Sequence, residues 1–286
     1  MNLTKLLSLL RFPAPMEDAI CALLEKNCTE ISALSEAAYT GIDYEYPIRT
    51  YTPLNRLLSL VNLLPQKYTE YQHLGVPEEI ITNTFRDVTH RASLYFQRHG
   101  SPGLSEEDVL WFRHIVNKEI FQIGPLQYQP FDMVYLDEET LGEPYMTFSP
   151  GIKARIPPNT PVINCHIPVG ADLSEDSIIS SLSLARQLFQ KLYPDTRFAA
   201  FLCYSWLLCP DMLSLLSPNS RIRKFARHFE IIGSCEDQEQ AMEFLIPESS
   251  LFRKASEHPE CFGFACGIAD LSAKEEYKAE YKYRWK

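Results

Sequence analysis

The sequence predicts an α+β protein, with a helical first part and a sheet-bearing second part. Three observations carry this. Up to about residue 124, apolar residues recur every three or four positions, the spacing of amphipathic helices. After Gly124 the rhythm changes to short runs rich in aromatic and β-branched residues, bounded by proline and glycine. Within that second part a strand, a long amphipathic helix and another strand follow one another, an order that requires parallel pairing across the helix. A chain of 286 residues also has the length of about two domains. We expect a helical domain over 1–124, a second domain over 125–270 and a charged, tyrosine-rich tail over 271–286.

The first helix occupies Met1 to Leu10 and ends at Phe12-Pro13; its apolar run is too short for a signal peptide. Pro15 to Leu34 reads as one helical stretch through Met16, Ile20, Leu23, Leu24 and Ile31, and Leu54 to Leu64 as another. Pro77 with Glu78 and Glu79 opens a helix that stops at Gly100, the acids matching the positive end of the helix dipole. Ser105 caps the next one. Leu126 to Leu136 reads as one strand or two short ones, with Pro130 marking an edge or a bulge. Further strands are expected at Tyr145 to Phe148, Pro161 to Ile167 and Phe198 to Tyr204, one within Ile222 to Gly233, and a last at Phe262 to Ile268. Helices are expected at Ser177 to Tyr193, at Trp206 to Leu216 with a break at Pro210, at Gln238 to Leu245 and at Ser249 to His258.

Composition narrows the function. Lysine and arginine number 27 against 37 acids, a net charge of −10, which disfavours nucleic acid as a general partner. No run approaches 18 apolar residues, so no membrane span is expected. Eight cysteines include no C-x-x-C pair, so neither a metal site nor a disulfide framework is expected, but free thiols in a reducing cytoplasm.

The sharpest feature is the strand, turn and helix over 162–193. The strand ends in His166, Ile167 and Pro168. Val169, Gly170, Ala171, Asp172, Leu173 and Ser174 turn the chain into a helix whose first N–H groups and dipole suit a diphosphate. The alternative is plain capping by Ser174, with Glu175 and Asp176 supporting the dipole.

The run HIPVGADLSEDSIISSLSLARQLFQKLYP, followed by FLCYSWLLCPDMLSLLSPNSRIRKFARHFEII and IPESSLFRKASEH, resembles the C-terminal domain of bacterial GNAT-like acyltransferase-domain proteins. Upstream, residues 73–129 resemble the helical N-acyltransferase N-terminal domain usually found with it. The resemblance spans about 65–270 and is most specific at His166 and at Ser205-Trp206-Leu207-Leu208. It implies a helical N-terminal domain followed by a GNAT-like mixed α/β sheet domain, in which two neighbouring strands part to admit acyl-CoA, acetyl or longer, as the substrate. It also implies that Ile167, Pro168, Val169, Gly170, Ala171, Leu173 and Ser174 hold the cofactor and that a small-molecule or peptide amine accepts the acyl group. Four positions depart from the family pattern: Ala171 replaces a glycine, Asp172 a proline, Pro125 an arginine and Arg221 an asparagine.

Roles follow for single residues. His166 is a general base or a packed strand histidine. Tyr204 or Ser205 reprotonates the leaving thiolate, or Tyr204 is core. Trp206 and Trp111 line the substrate pocket or pack. Arg113 and His114 join Trp111 on one helix turn, where they line a substrate cleft or pack, and the basic residues at 221–228 meet a phosphate of the cofactor or coat the surface. Cys203, mid-strand among bulky residues, is expected to stay a protonated thiol. The departures at 171 and 172 motivate a second reading, a non-catalytic module that binds a small molecule or peptide. Acceptor, acyl length and oligomeric state are not encoded in any recognisable motif.

Overall fold

The computed structural model describes residues 2–42, 44–245 and 249–271, so the expected tail lies outside the described residues from 272 onward. Two compact units emerge, one of Met1–Pro130 with His166–Asp195, the other of Phe131–Cys165 with the chain from Thr196.

The first unit opens with helix α1 (Leu3–Leu10), whose N-terminus is capped by the Asn2 side chain accepting from Lys5 N. Helices α2 (Ala14–Lys26) and α3 (Cys28–Ala37) divide the stretch expected as one helix. The break falls at Asn27, which leaves the helical region at φ −116° and ψ 27° while its N–H still bonds the Leu23 carbonyl. Helix α4 (Pro53–His73) follows a Thr52 cap, and α5 (Glu78–His99) ends at Gly100 with φ 70°, the left-handed conformation glycine accepts. Helix α6 (Glu106–Val116) starts with a reciprocal capping box: Asp108 N donates to Ser105 Oγ and Ser105 N donates to Asp108 Oδ2.

Strands β1 (Phe121–Ile123) and β2 (Leu126–Asp132) form an antiparallel hairpin with Gly124 at φ 58° and Pro125 in the two-residue turn. Pro125 thus occupies a turn position that needs no ladder N–H. The β1 register ends at Tyr128, so Pro130 sits on the stretch of β2 that β1 does not cover. Strand β1 escapes the sequence reading because three residues show no period.

The second unit contains the short helices α7 (Glu138–Leu141) and α8 (Pro150–Arg155), then β3 (Pro161–His166), whose last residue groups with the first unit. Helix α9 (Glu175–Leu192) groups with the first unit too, through the Phe121–Phe189 ring contact at 5.6 Å and the Tyr128–Ser181 hydrogen bond at 2.7 Å. Then come β4 (Ala200–Ser205), α10 (Pro210–Ser214), α11 (Arg221–Ala226), β5 (Glu230–Cys235), α12 (Gln238–Phe244), α13 (Ser250–Glu257) and β6 (Phe264–Asp270).

The sheet is mixed, in the order β1-β2-β3-β4-β6-β5. As expected, β3 and β4 are parallel; β4 with β6 and β5 with β6 are antiparallel. Tyr145 to Phe148 forms no strand, contrary to expectation. Met146 N donates to Leu136 O, while Met146 and Phe148 plug a core with Tyr135, Val162, Leu202 and Cys266. The apolar run that looked like a strand is a core-filling loop. Gly233 lies where the β5–β6 register shifts, and a Cβ there would come within 2.6 Å of the Phe148 ring. No described helix is long and apolar enough to cross a membrane.

Candidate functional site

His166 ends β3, just before the turn into α9. Its Nε2 lies 2.9 Å from Gln129 Oε1, and its ring meets the Trp111 ring edge to face at 4.9 Å between centroids. Burial first, and neighbouring His114 second, hold its pKa far below the usual histidine value, at about 3. The imidazole is therefore neutral throughout the physiological range. His114 meets the other side of Trp111 at 5.4 Å and bonds Glu119 Oε2 through Nδ1 at 3.1 Å. Its pKa is also lowered, because burial outweighs the Glu119 hydrogen bond.

Behind these rings lies a polar network. Trp111 Nε1 donates to Asp87 Oδ2 at 3.0 Å, and Gln127 Nε2 donates to the same oxygen at 3.2 Å. Arg91 bonds Asp87 and Asp108, with its guanidinium 5.5 Å from the centre of the Trp111 ring. The α6 capping box is thereby tied to the indole through Asp108 and Arg91. Gln127 and Gln129 are buried, at 4% and 7% exposure, on a strand whose remaining buried residues are apolar or aromatic. A buried amide is costly unless bonded, and both are bonded. Sequence reasoning named His166, Trp111 and His114 but missed Gln129, Gln127 and Asp87. The two glutamines flanking Tyr128 in an otherwise apolar run were the available signal.

The turn 168–174 lies before α9. Ala171 N donates to Pro168 O, closing a turn that places Gly170 at φ 78°. A Cβ at Gly170 would meet nothing within 4 Å, so the glycine supplies backbone freedom there, not close approach. Val169 is half exposed, Ile167 and Pro168 are part-buried, and Leu173 is buried. Ser174 is the N-cap of α9 by position, but its hydroxyl does not cap the helix; it donates to Asp172 Oδ2 at 2.8 Å. Ser174 N donates to Asp172 Oδ1 and Ser177 Oγ donates to Oδ2. Capping by the Ser174 side chain is therefore replaced by an Asp172-centred turn.

In the second unit, the described register of β3 with β4 pairs Ile163 with Phe201 and Asn164 with Leu202, whereas β4 pairs with β6 along its whole length from Ala200 to Ser205. Cys203 bonds Cys165 side chain to side chain; that bond, and burial after it, push its pKa well above the usual thiol value. All eight cysteines are free, and four are buried. Tyr204 OH donates to Val134 O at 2.6 Å, and its ring stacks on Phe264. Burial, with Cys266 beside it, pushes its pKa far up. To act as the expected acid, Tyr204 would have to give up the Val134 bond. Ser205 Oγ accepts from Leu207 N, capping the short 3₁₀ turn Trp206–Leu208. Trp206 packs against both apolar clusters of this unit. Arg223 and Arg227 donate to the carbonyls of Leu216 and Pro218, so both guanidiniums serve a local loop.

Residues 1–117 match the family model of the N-acyltransferase N-terminal domain, and residues 120–260 match that of the GNAT-like C-terminal domain. No curated protein sequence matches the chain. Similar solved structures include an acyltransferase in complex with decanoyl-CoA and teicoplanin, 18% identical with a TM-score of 0.67 over 93% of this chain and 87% of that one. Another is an acyltransferase in complex with decanoyl-CoA, 20% identical with a TM-score of 0.66 over 93% and 86% of the two chains. At such identities the likeness is one of fold.

Proposed function

From the premise that this chain belongs to the family that joins an N-acyltransferase N-terminal domain to a GNAT-like C-terminal domain, we propose that it transfers an acyl group from acyl-CoA to an amine. The observation that carries the reading is His166, a neutral imidazole at the carboxyl end of a parallel strand, ahead of the turn that leads into α9. The acyl-CoA complexes of the similar acyltransferases support it.

In this reading the backbone of Ile167, Pro168, Val169, Gly170, Ala171, Leu173 and Ser174 tracks the cofactor, and the first N–H groups of α9 face its pyrophosphate. Trp111, edge to face with His166, walls the acceptor pocket. The amine nitrogen attacks the thioester carbonyl, and a backbone N–H near the end of β3 polarises the carbonyl oxygen. The tetrahedral adduct carries an ammonium-like N–H whose proton must leave before the C–S bond breaks. His166 takes that proton, the C–S bond breaks, and CoA leaves as thiolate. The thiolate is protonated by the imidazolium or by Ser205; Tyr204, with its proton given to Val134 O, is the poorer donor. The acceptor is a small-molecule or peptide amine, a class that fits the teicoplanin bound by one similar acyltransferase. An acyl-CoA donor and eight free thiols both fit a reducing cytoplasm.

Asp172 favours a second reading, binding without turnover. Its carboxylate sits one turn residue from the α9 N-terminus and engages Ser174 and Ser177, where a phosphate would meet like charge. Calorimetry with acetyl-, octanoyl- and decanoyl-CoA at millimolar concentration is expected to show heat; none with any of them removes the cofactor claim. Release of free CoA over a panel of amines, abolished in His166→Ala with the circular dichroism spectrum intact, is expected from the enzyme. Heat without CoA release selects the second reading.

A further inference from the structure

Resting on the reading of Trp111 as a wall of the acceptor pocket, we propose that Asp87 is a positioning residue for that wall: its carboxylate selects one setting of the indole and so sets how tightly the amine binds. The torsion that turns an indole about its Cβ–Cγ bond is broad and roughly two-fold, so packing alone leaves such a ring more than one setting. Three groups pack on Trp111: the His166 ring at 4.9 Å and 82°, the His114 ring at 5.4 Å and 76°, and the Arg91 guanidinium at 5.5 Å. Contacts of this kind depend on the ring plane and little on which edge carries the nitrogen. The hydrogen bond depends on that edge. Trp111 Nε1 lies 3.0 Å from Asp87 Oδ2, and turning the ring over would carry the nitrogen away from it. An indole N–H can only donate and a carboxylate oxygen accepts at either atom, so neither end of the bond can be reassigned.

A buried carboxylate is more than an indole N–H requires, since any backbone carbonyl would satisfy it. The Asp87 side chain is 9% exposed, a costly place for a charge. Donors from three elements offset that cost. Arg91, one turn further along α5, donates from Nε to Oδ1 at 3.3 Å; Trp111 reaches Oδ2 from α6; Gln127 reaches the same oxygen from β2 at 3.2 Å. Arg91 is itself braced by Asp108 at 3.1 Å. All of these residues belong to the first unit. A charged acceptor holds its donor more strongly than a neutral one, and three converging donors leave the carboxylate no freedom to turn. Loss of the carboxylate would keep the packing partners of the indole and release its second setting. The wall would move, whereas the cofactor contacts proposed over 167–174 use none of these residues. The expected signature is a change in amine binding that acyl-CoA binding does not share.

The first arm of the test needs no substrate. In ¹H–¹⁵N spectra of the full chain the Trp111 indole N–H is assigned by its loss in Trp111→Phe. Its exchange with water is expected to be at least about 10-fold slower than that of free indole, and to speed up by about 10-fold or more in Asp87→Leu, which keeps the shape and removes the acceptor. An unprotected indole N–H in wild type, or exchange unmoved in Asp87→Leu, overturns the proposal. The second arm measures CoA release with an amine that wild type accepts. Asp87→Leu is expected to raise KM for the amine by about 10-fold or more while KM for acyl-CoA stays within about 2-fold. Trp111→Phe, which removes the N–H and keeps an aromatic wall, is expected to raise the amine KM likewise, and the double variant no further than either single one. Additive effects, equal rises in both KM values, or an amine KM unmoved in Trp111→Phe overturn it. Should Asp87→Leu fail to fold, the wild-type exchange and the Trp111→Phe KM decide. Wild type that releases no CoA with any amine sinks the transfer reading and the acceptor role with it; turnover with additive effects sinks the role of Asp87 alone.

Discussion

Tyr204 and His166, each near the end of its own strand, show opposite chemistry. The tyrosine spends its proton on a backbone carbonyl, and the histidine accepts an amide partner that leaves it neutral. Tyr204→Phe should therefore cost about 1 kcal/mol of stability through loss of the Val134 bond, read as a lower urea midpoint at unchanged slope. CoA release should stay within a few-fold of wild type. A fall of about 100-fold would restore Tyr204 as the thiolate's proton donor. At this scale the sequence was half legible. His166 and Trp111 stand in quotable motifs, but the partners that define their state do not. Gln129 is 37 positions from His166, and nothing in LQYQ says which face is buried or against what.

Helix boundaries follow local rules, and the structure keeps most of them. The Ser105–Asp108 box, the Gly100 stop and the acids at the start of α5 were readable from residue type and spacing, because a cap or a left-handed φ is decided within four residues. The box also steadies the candidate site, since Asp108 bonds Arg91, which bonds Asp87, which holds Trp111. Ser105→Ala should cost about 1 kcal/mol by denaturant unfolding. Loss of CoA release beyond what that destabilisation explains would show that the cap reaches the indole. Two elements were misread for opposite reasons. The α2–α3 stretch kept its apolar period across a backbone break at Asn27. Tyr145 to Phe148 had strand composition, yet its aromatic side chains fill a core from a loop. Composition reports burial; it does not report whether a neighbouring backbone offers a ladder.

The response of the entire molecule to acid separates two kinds of buried charge. His166 and His114 have lowered pKa values when folded, so the unfolded chain binds their protons first. Stability should therefore be flat above about pH 6.5 and fall below it, by up to about 1.4 kcal/mol per pH unit for His166. Glu70 behaves differently. Burial alone would raise its pKa, but hydrogen bonds from Lys118, Gln66 and Lys67 win and set it at about 2. Its contribution is present above its unfolded value and is lost only as pH falls toward 2, outside the histidine window. Urea midpoints from pH 8 to 5 should show the slope, and His166→Gln should flatten it. An equal slope in that variant would place the acid sensitivity elsewhere.

The sequence alone determined the helical first part, the β–α–β unit around α9, the helix ends and the family resemblance. All of these depend on periodicity, capping and short motifs, interactions that close within a few residues. The tertiary structure alone decided that α9 groups with the N-terminal helices, that Asp172 takes the Ser174 hydroxyl, and that Gln129 holds His166. Burial and hydrogen bonding between distant segments depend on which face meets which. One chain's local pattern is compatible with several such matings, and only packing selects among them.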